Sequence, residues 1–306
     1  WITTGQSSVP PGWQQCPDDL LEHLTRGHQR RLSVSYRGRY APSPTGVLHL
    51  GNLQTALLSW LQARLAGGQW LLRIDDLDRA RNRPGAIERI QSDLRWLGLD
   101  WEEPCVLQSA RTGVYDAWLA WLRRCGALFP CRCTRRQLAG HIVYPGHCRD
   151  AAGHWGLEQE RFPAWRLKVP RNDSRKSGDV LVRRSDRITA YHFATVIDEI
   201  CLGITDVVRG RDLLDSLPSQ LSIFDALGQE SPRFHHGPLL CDQAGRKLSK
   251  RIASAGLEPL KSNGLEAADV IGQMASRLNL VPAGIRLSAS ELLLEIDPKV
   301  LQSLCS

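Results

Sequence analysis

The stretch Arg39-Tyr40-Ala41-Pro42-Ser43-Pro44-Thr45-Gly46-Val47-Leu48-His49-Leu50-Gly51-Asn52 changes backbone regime twice. Gly38-Arg39-Tyr40-Ala41 reads as a short strand, and Pro42 and Pro44 then exclude a helix from the loop behind it. From His49 onward, Leu50, Leu53, Leu57, Leu58, Leu61 and Leu65 recur at helical spacing until Gly67-Gly68 stops the pattern. Trp70 to Ile74 is a second apolar strand, and 84–97 and 112–125 read as amphipathic helices. Strand, helix, strand and helix joined by short connections predict an α/β fold, a doubly wound parallel sheet with helices on both faces.

Outward from this core the texture varies. Residues 1–36 are rich in Gly, Pro, Gln and Ser, and the expectation is a flexible arm with no fold of its own. After Gly126 comes a Cys/His/Arg-rich stretch with the look of an insertion. Sheet-like sequence returns at Ile188–Val196 and Ile204–Val208, a helix is expected near 213–227, and the last fifty or so residues carry leucine-rich helical patterns. The expected organisation is an arm at 1–36, a first Rossmann half at 37–128, an inserted module at 129–187, a second half at 188–251 and a short helical tail at 252–306.

Composition bounds the class. With 306 residues, 42% hydrophobic and 23% charged, the chain is neither collagenous nor mostly disordered. No apolar run reaches the ~18–20 residues of a membrane span and no leader opens the sequence, so the expectation is a cytoplasmic protein, read as a monomer. The net charge is +7 and six of the 39 basic residues are Lys, the rest Arg. A polyanion such as RNA would account for that excess, and so would an Arg-biased genome. Position favours the first: 161–187 holds nine basic and three acidic residues, with Phe162 and Trp165 interleaved, whereas 252–306 is slightly acidic.

Two loops carry phosphate chemistry. A helix opening at His49-Leu50-Gly51 presents backbone N–H groups and a positive dipole end, and His49 can donate to phosphate oxygens. Some 200 residues later, Gly245-Arg246-Lys247-Leu248-Ser249-Lys250-Arg251 sets two ammonium groups where a pyrophosphate leaving group would gather charge. Together they resemble the two ATP motifs of class I aminoacyl-tRNA synthetases. The resemblance then narrows. Arg73-Ile-Asp75-Asp76-Leu-Asp78, Gln108-Ser109-Ala-Arg111 with Tyr115, Cys131-Arg-Cys133-Thr134, Tyr191 to Asp198, and Val208-Arg209-Gly210 follow the order seen in the glutamyl-tRNA synthetase catalytic half, over roughly 37–251.

That resemblance implies roles residue by residue. His49, Gly51, Asn52 and Lys250 would meet ATP with its Mg²⁺, and His49, Lys247 and Lys250 would serve catalysis. Arg39, Ala41, Ser43, Asp75, Tyr191 and Arg209 would form the glutamate site. The chemistry agrees: two arginines can hold carboxylates, a carboxylate can take the ammonium, and a phenol can orient the side chain. Asp75 departs from the family's usual Glu, one methylene shorter in reach.

Cys131, Cys133 and Cys148 offer three thiolates, and a zinc ion wants a fourth ligand. By chemistry alone His147 or His141 could supply it. The Cys-x-Cys…Tyr-x₃-Cys spacing resembles a zinc site in a short branch of the glutamyl synthetases, where the Tyr oxygen coordinates, which implies Tyr144 with His147 as the substitute. The other cysteines (Cys16, Cys105, Cys125, Cys201, Cys241 and Cys305) read as inert. Only 55 residues follow Arg251, and the expectation is a short tail with no anticodon-reading domain. A short chain with this zinc spacing is similar to the glutamyl-Q tRNA(Asp) synthetases. The expected activity is ATP-dependent activation of glutamate and its transfer to queuosine at the wobble position of tRNA(Asp). A truncated synthetase charging a tRNA 3′ end and an inactive RNA-binding paralogue are the alternatives.

Overall fold

The computed structural model describes residues 17–151, 162–172, 177–238 and 256–304. They fall into two compact units, one of Arg31–Ser109, Ile204–Leu214 and Pro232–Ser306, the other of Trp1–Arg30, Ala110–Gly203 and Asp215–Ser231.

The first unit is built on parallel strands. β1 (Arg37–Tyr40) pairs with β2 (Gln69–Ile74) in the register Arg37↔Gln69 to Tyr40↔Leu72. β2 pairs in turn with β3 (Val106–Leu107). On the far side, β7 (Asp206–Gly210) pairs with β8 (Arg233–Gly237) from Asp206↔Arg233 to Gly210↔Gly237. The two groups meet at β1: the Arg37 N–H donates to Thr205 Oγ1 at 2.7 Å, and the Thr205 N–H donates to the Arg37 carbonyl at 2.9 Å. The lateral order is therefore β3-β2-β1-β7-β8, with the chain running outward on both sides of β1. Such a reversal opens a crevice at the carboxyl ends of β1 and β7, the place where doubly wound sheets bind ligands.

Helix α2 (Leu50–Leu65) connects β1 to β2 and is buried nearly all round, from Leu53 to Ala63. One side meets the sheet. The other is covered by helices of the C-terminal stretch, α7 (Glu258–Ser262), α8 (Ala267–Arg277), α9 (Ala289–Glu295) and α10 (Pro298–Leu304). Leu53, Leu57, Trp70, Ile74, Val270, Ile271, Met274 and Leu292 share one apolar core with Ile90 and Leu94 of α3 (Ala86–Trp96). Full burial of each such side chain stabilises the fold by about 1.5–3 kcal/mol. Gly68 is required where α2 turns back, because a Cβ there would lie 2.3 Å from the Tyr36 carbonyl oxygen.

The second unit holds an antiparallel sheet, β4 (Leu128–Cys131), β5 (Ala164–Leu167) and β6 (Val180–Arg183), with a bulge at Trp165/Arg166. Helices α4 (Thr112–Arg124), α5 (Tyr191–Leu202) and α6 (Leu217–Ala226) belong with it.

Two expectations are corrected. Ile188–Val196 is not a strand beyond its first residues, because α5 starts at Tyr191 and ends on Gly203 in the left-handed region (φ 68°). The β-branched run Thr195 to Ile197 suits either element, and burial on nearly every face of α5 removes the polar period that marks a helix. Residues 17–36, expected as part of a loose arm, contain α1 (Asp18–Leu32). Leu20 of α1 is fully buried, and Gly27 passes so close to α5 that a Cβ would meet the Ile200 carbonyl oxygen at 2.1 Å. Its apolar stripe is too sparse to read against a Gln/Arg/His background.

Candidate active site and metal centre

Most of the ATP- and glutamate-site candidates belong to the first unit, on or just after β1, β2 and β7 and at the start of α2. Arg39 lies on β1 and Arg209 on β7, both buried, at 5% and 3% exposure. Ala41 and Ser43 follow β1 in a loop tied to the end of β2, since the Asp75 N–H donates to the Pro42 carbonyl and the Arg83 N–H to that of Pro44. His49 caps α2: its backbone is extended and its Nδ1 accepts from the Asn52 N–H at 3.2 Å. That bond makes Nδ1 the acceptor and puts the proton of the neutral ring on Nε2, at an exposed helix N-terminus. Beneath it, the buried Tyr40 hydroxyl donates to the Asn52 carbonyl at 3.1 Å, anchoring the first turn.

Asp75 sits at the carboxyl end of β2 against Arg73, whose Nε and terminal amino group donate to its two oxygens at 2.7 and 3.3 Å. Both side chains are buried. The shorter carboxylate is thus pinned by a guanidinium, and an ammonium would have to share it through the remaining lone pairs. Its neighbour Asp76 accepts from the Ser109 N–H at 2.7 Å and the Ser109 hydroxyl at 2.5 Å, holding the loop after β3 to the loop after β2.

Arg209 shows a partner the sequence did not reveal. Its Nε donates to Nε2 of His236 at 3.0 Å, and its guanidinium carbon lies 4.7 Å from the centre of the Phe234 ring. Burial and the adjoining Arg209 cation push the His236 imidazole down to about 4, so the ring is neutral. Only the alternation of Phe234 and His236 along the strand hinted at a shared face.

Tyr191 begins α5 in the other unit, 40% exposed, with its ring against His192. In that unit Arg111 Nε and the Tyr115 hydroxyl both donate to the buried Asp198 carboxylate, at 2.6 and 2.8 Å. Lys247 and Lys250, with the whole loop from Gly245 to Arg251, lie outside the described residues.

The second unit also brings together the sulfur cluster. The Sγ atoms of Cys131, Cys133 and Cys148 all lie within 4.8 Å of one another. The Tyr144 oxygen is 3.5 Å from Cys131 Sγ and 3.7 Å from Cys133 Sγ, and Cys133 and Cys148 are 3.6 Å apart. A tetrahedral zinc with bonds near 2.3 Å has ligand–ligand edges of roughly 3.8 Å, so the four atoms fit such an ion. Among the described residues no histidine nitrogen completes this group. The Cys148 N–H donates to the Tyr144 oxygen at 2.8 Å, and the Arg166 guanidinium stacks on the Tyr144 ring at 3.9 Å, which fixes the phenol in place. Away from the cluster, Cys105, Cys125 and Cys201 form no disulfide, and burial pushes the Cys201 thiol up to about 11.

The basic segment is less cationic than its composition. Arg171 pairs with Asp150, Arg183 with Asp116 and Arg184 with Asp186. Lys168 is exposed, and Arg187 lies over the Phe162 ring. Arg161, Arg175 and Lys176 lie outside the described residues.

A reversed parallel sheet with a histidine-capped helix at the reversal is what class I synthetases use, and the family described as tRNA synthetases class I (E and Q), catalytic domain, matches residues 35–142 and 166–269. This is a class I aminoacyl-tRNA synthetase catalytic fold. A glutamyl-Q tRNA(Asp) synthetase from Parasynechococcus marenigrum (strain WH8102) is 63% identical over 283 residues, covering 92% of this chain and 97% of that protein. A protein of the same name from Nitratidesulfovibrio vulgaris is 41% identical, over 80% of this chain and 87% of its own. The chain belongs to the glutamyl-Q tRNA(Asp) synthetase family. A crystal structure of a glutamate tRNA ligase from Elizabethkingia meningosepticum, in complex with its amino acid, superposes with a TM-score of 0.72 at 25% identity. That match covers 87% of this chain and 65% of the ligase.

Proposed function

We propose that this protein activates L-glutamate with ATP and transfers the glutamyl group to queuosine in tRNA(Asp), working in the cytoplasm where these substrates are held. The observation that carries the reading is the 63% identity to a glutamyl-Q tRNA(Asp) synthetase over nearly the whole of both chains. The crevice chemistry supports it. Arg39 and Arg209 meet the two substrate carboxylates, Asp75 shares its oxygens between Arg73 and the ammonium, and Ala41 and Ser43 line the loop between them. Tyr191 adds a phenol from α5. His49 Nε2, Gly51 and Asn52 at the α2 N-terminus face the phosphates of ATP, whose Mg²⁺ offsets their charge, while Lys247 and Lys250 meet the leaving pyrophosphate.

In the first step a glutamate carboxylate oxygen attacks the α-phosphorus and the bond to the β-phosphate breaks, releasing pyrophosphate. A cyclopentene hydroxyl of queuosine then attacks the adenylate carbonyl, AMP departs, and the hydroxyl proton passes to solvent or to the AMP phosphate. Cys131, Cys133, Cys148 and Tyr144 would hold one Zn²⁺, which when bound cross-links the loop after β4 and takes no part in either transfer.

The test is glutamate- and ATP-dependent pyrophosphate exchange without tRNA, followed by labelled glutamate transfer to tRNA(Asp) with and without queuosine. The expected product forms only with queuosine, and its label stays with the anticodon-loop fragment after ribonuclease digestion. Label released with the 3′-terminal adenosine would instead mark a 3′-end synthetase.

A further inference from the structure

Gly256 stands six residues beyond Lys250 in the sequence. It takes φ 64°, in the left-handed region, and a Cβ there would lie 3.1 Å from Val47 Cβ and Cγ2 and 3.5 Å from the Leu48 carbonyl oxygen. Val47 and Leu48 lead directly into His49, so the chain leaving one ATP motif leans on the chain entering the other. Leu257 and Leu48, both buried, share the apolar core of this unit. One turn later α7 is fastened to α3. Lys261 Nζ donates to the Asp93 carboxylate at 3.0 Å and lies 4.7 Å from the centre of the Trp96 ring. The Asp93 side chain is buried, whereas the second pair, Arg89 with Glu258 at 2.8 Å, is exposed on both sides and adds little. The residues before α3 return to the first motif, because the Arg83 N–H donates to the Pro44 carbonyl at 2.9 Å. Pro44, Arg83, Asp93, Lys261, Gly256 and Val47 thus close a ring of contacts, all within the first unit. Six residues reach at most roughly 20 Å, so where Gly256 is held limits where Lys250 can act.

We propose that Lys261 and Gly256 are positioning residues for the adenylation step, which hold the chain downstream of Lys250 against the turn that leads into His49. This rests on the reading of His49 and Lys250 as groups that meet the phosphates of ATP. The ion pair fixes α7 to α3, because a buried carboxylate that lost its cation would have little solvent to turn to. The glycine fixes the other end of the same short stretch. Any side chain in its place would press on Val47 and would also strain a left-handed backbone. Loosening either contact leaves the glutamate-site candidates on β1, β2 and β7 in place and shifts the groups assigned to the phosphates. The loss should therefore fall on the rate and not on amino-acid binding.

The experiment is pyrophosphate exchange by the full chain, with glutamate and ATP varied independently, for Gly256→Ala and Lys261→Met alone and in a Lys250→Ala background. Each substitution alone should lower kcat by about tenfold and keep the KM for glutamate within about twofold. Lys261→Arg, which keeps a cation for Asp93, should stay within about threefold of the unsubstituted protein in both constants. In the Lys250→Ala background neither substitution should lower the rate by more than about twofold, because the group they position is gone. An unchanged kcat in Gly256→Ala and Lys261→Met, a parallel rise in glutamate KM, a Lys261→Arg as slow as Lys261→Met, or a full tenfold loss on top of Lys250→Ala would overturn the proposal. Gly256→Ala leaves the Asp93 pair intact, and so tests the anchor even if Lys261→Met, which strands a buried carboxylate, does not fold. If Lys250→Ala exchanges pyrophosphate as fast as the unsubstituted protein, the reading of the lysine loop fails first, and that failure is told apart from a failure of the anchor.

Discussion

His49 has two jobs that substitution can pull apart. Its Nδ1 caps α2 through the Asn52 N–H, and its Nε2 is the atom proposed to meet the phosphates of ATP. His49→Ala removes both. Loss of an N-cap costs about 0.5–2 kcal/mol, and a 3.2 Å bond at an exposed helix end belongs at the lower part of that range. In a chain of this size such a loss lowers Tm by only about 2 °C. Loss of one phosphate-facing donor should cut the adenylation rate by about 10²–10³. His49→Asn restores a good cap but cannot reach as far as the imidazole. It should therefore recover the thermal midpoint while staying slow in pyrophosphate exchange. Melting curves and exchange rates on the same three proteins give both numbers. If His49→Asn regains the rate along with the cap, the histidine acts through the helix end alone and the phosphate role assigned to Nε2 is wrong.

Elemental analysis should find one Zn²⁺ per chain, lost in Cys133→Ser and weakly retained in Tyr144→Phe; retention should be unaffected in His147→Ala, and the reverse order would move the fourth ligand to His147. Burial opposes ionisation of Asp206, but hydrogen bonds from His235, Arg233 and Thr205 outweigh it and hold the carboxyl near 2, against 3.8 for the free group. A depressed carboxyl stabilises the fold above its unfolded value and loses that contribution as pH falls, so denaturant midpoints should drop between about pH 4 and pH 2, and less steeply in Asp206→Asn. Lys168→Glu with Arg171→Glu should raise the KM for tRNA and leave tRNA-free exchange intact, an effect that shrinks in high salt; a joint loss of both activities would make the segment structural.

The sheet around β1 was legible because its signals are local. A Pro-stiffened loop, a His-x-Gly helix start and six leucines at helical spacing need no distant partner to be read. The cysteine–tyrosine cluster was legible for a similar reason, since its ligand atoms fall within one short stretch whose spacing is itself the signal. Elements that failed are those whose identity is decided by contact. α5 is buried on nearly every face, its Asp198 and Glu199 included, so it lacks a polar period, and the contacts that hold α1 include one buried leucine and one close glycine crossing. His236 could not be found by pattern: its significance comes from Arg209, 27 residues away, and from a tautomer that only the pairing dictates. Asp75 was flagged for its length, but its commitment to Arg73 emerges only when the end of β2 is seen in three dimensions.

The central position of β1 has a price in time. Its partner β2 follows closely in sequence, but the hydrogen bonds to its other side come from Thr205, 168 residues later. At ribosomal speeds of about 5–20 residues per second, that edge waits roughly ten to thirty seconds for its neighbour to be synthesised. The apolar side of α2 waits longer still, because the helices that cover it are drawn from the last fifty or so residues. Vectorial synthesis thus releases the nascent chain with an open strand edge and a bare leucine face, the two surfaces most prone to pair with another chain. Premature termination anywhere before Ile204 would fix both defects permanently, so fragments of this protein should be captured by chaperones or aggregate rather than persist as soluble halves.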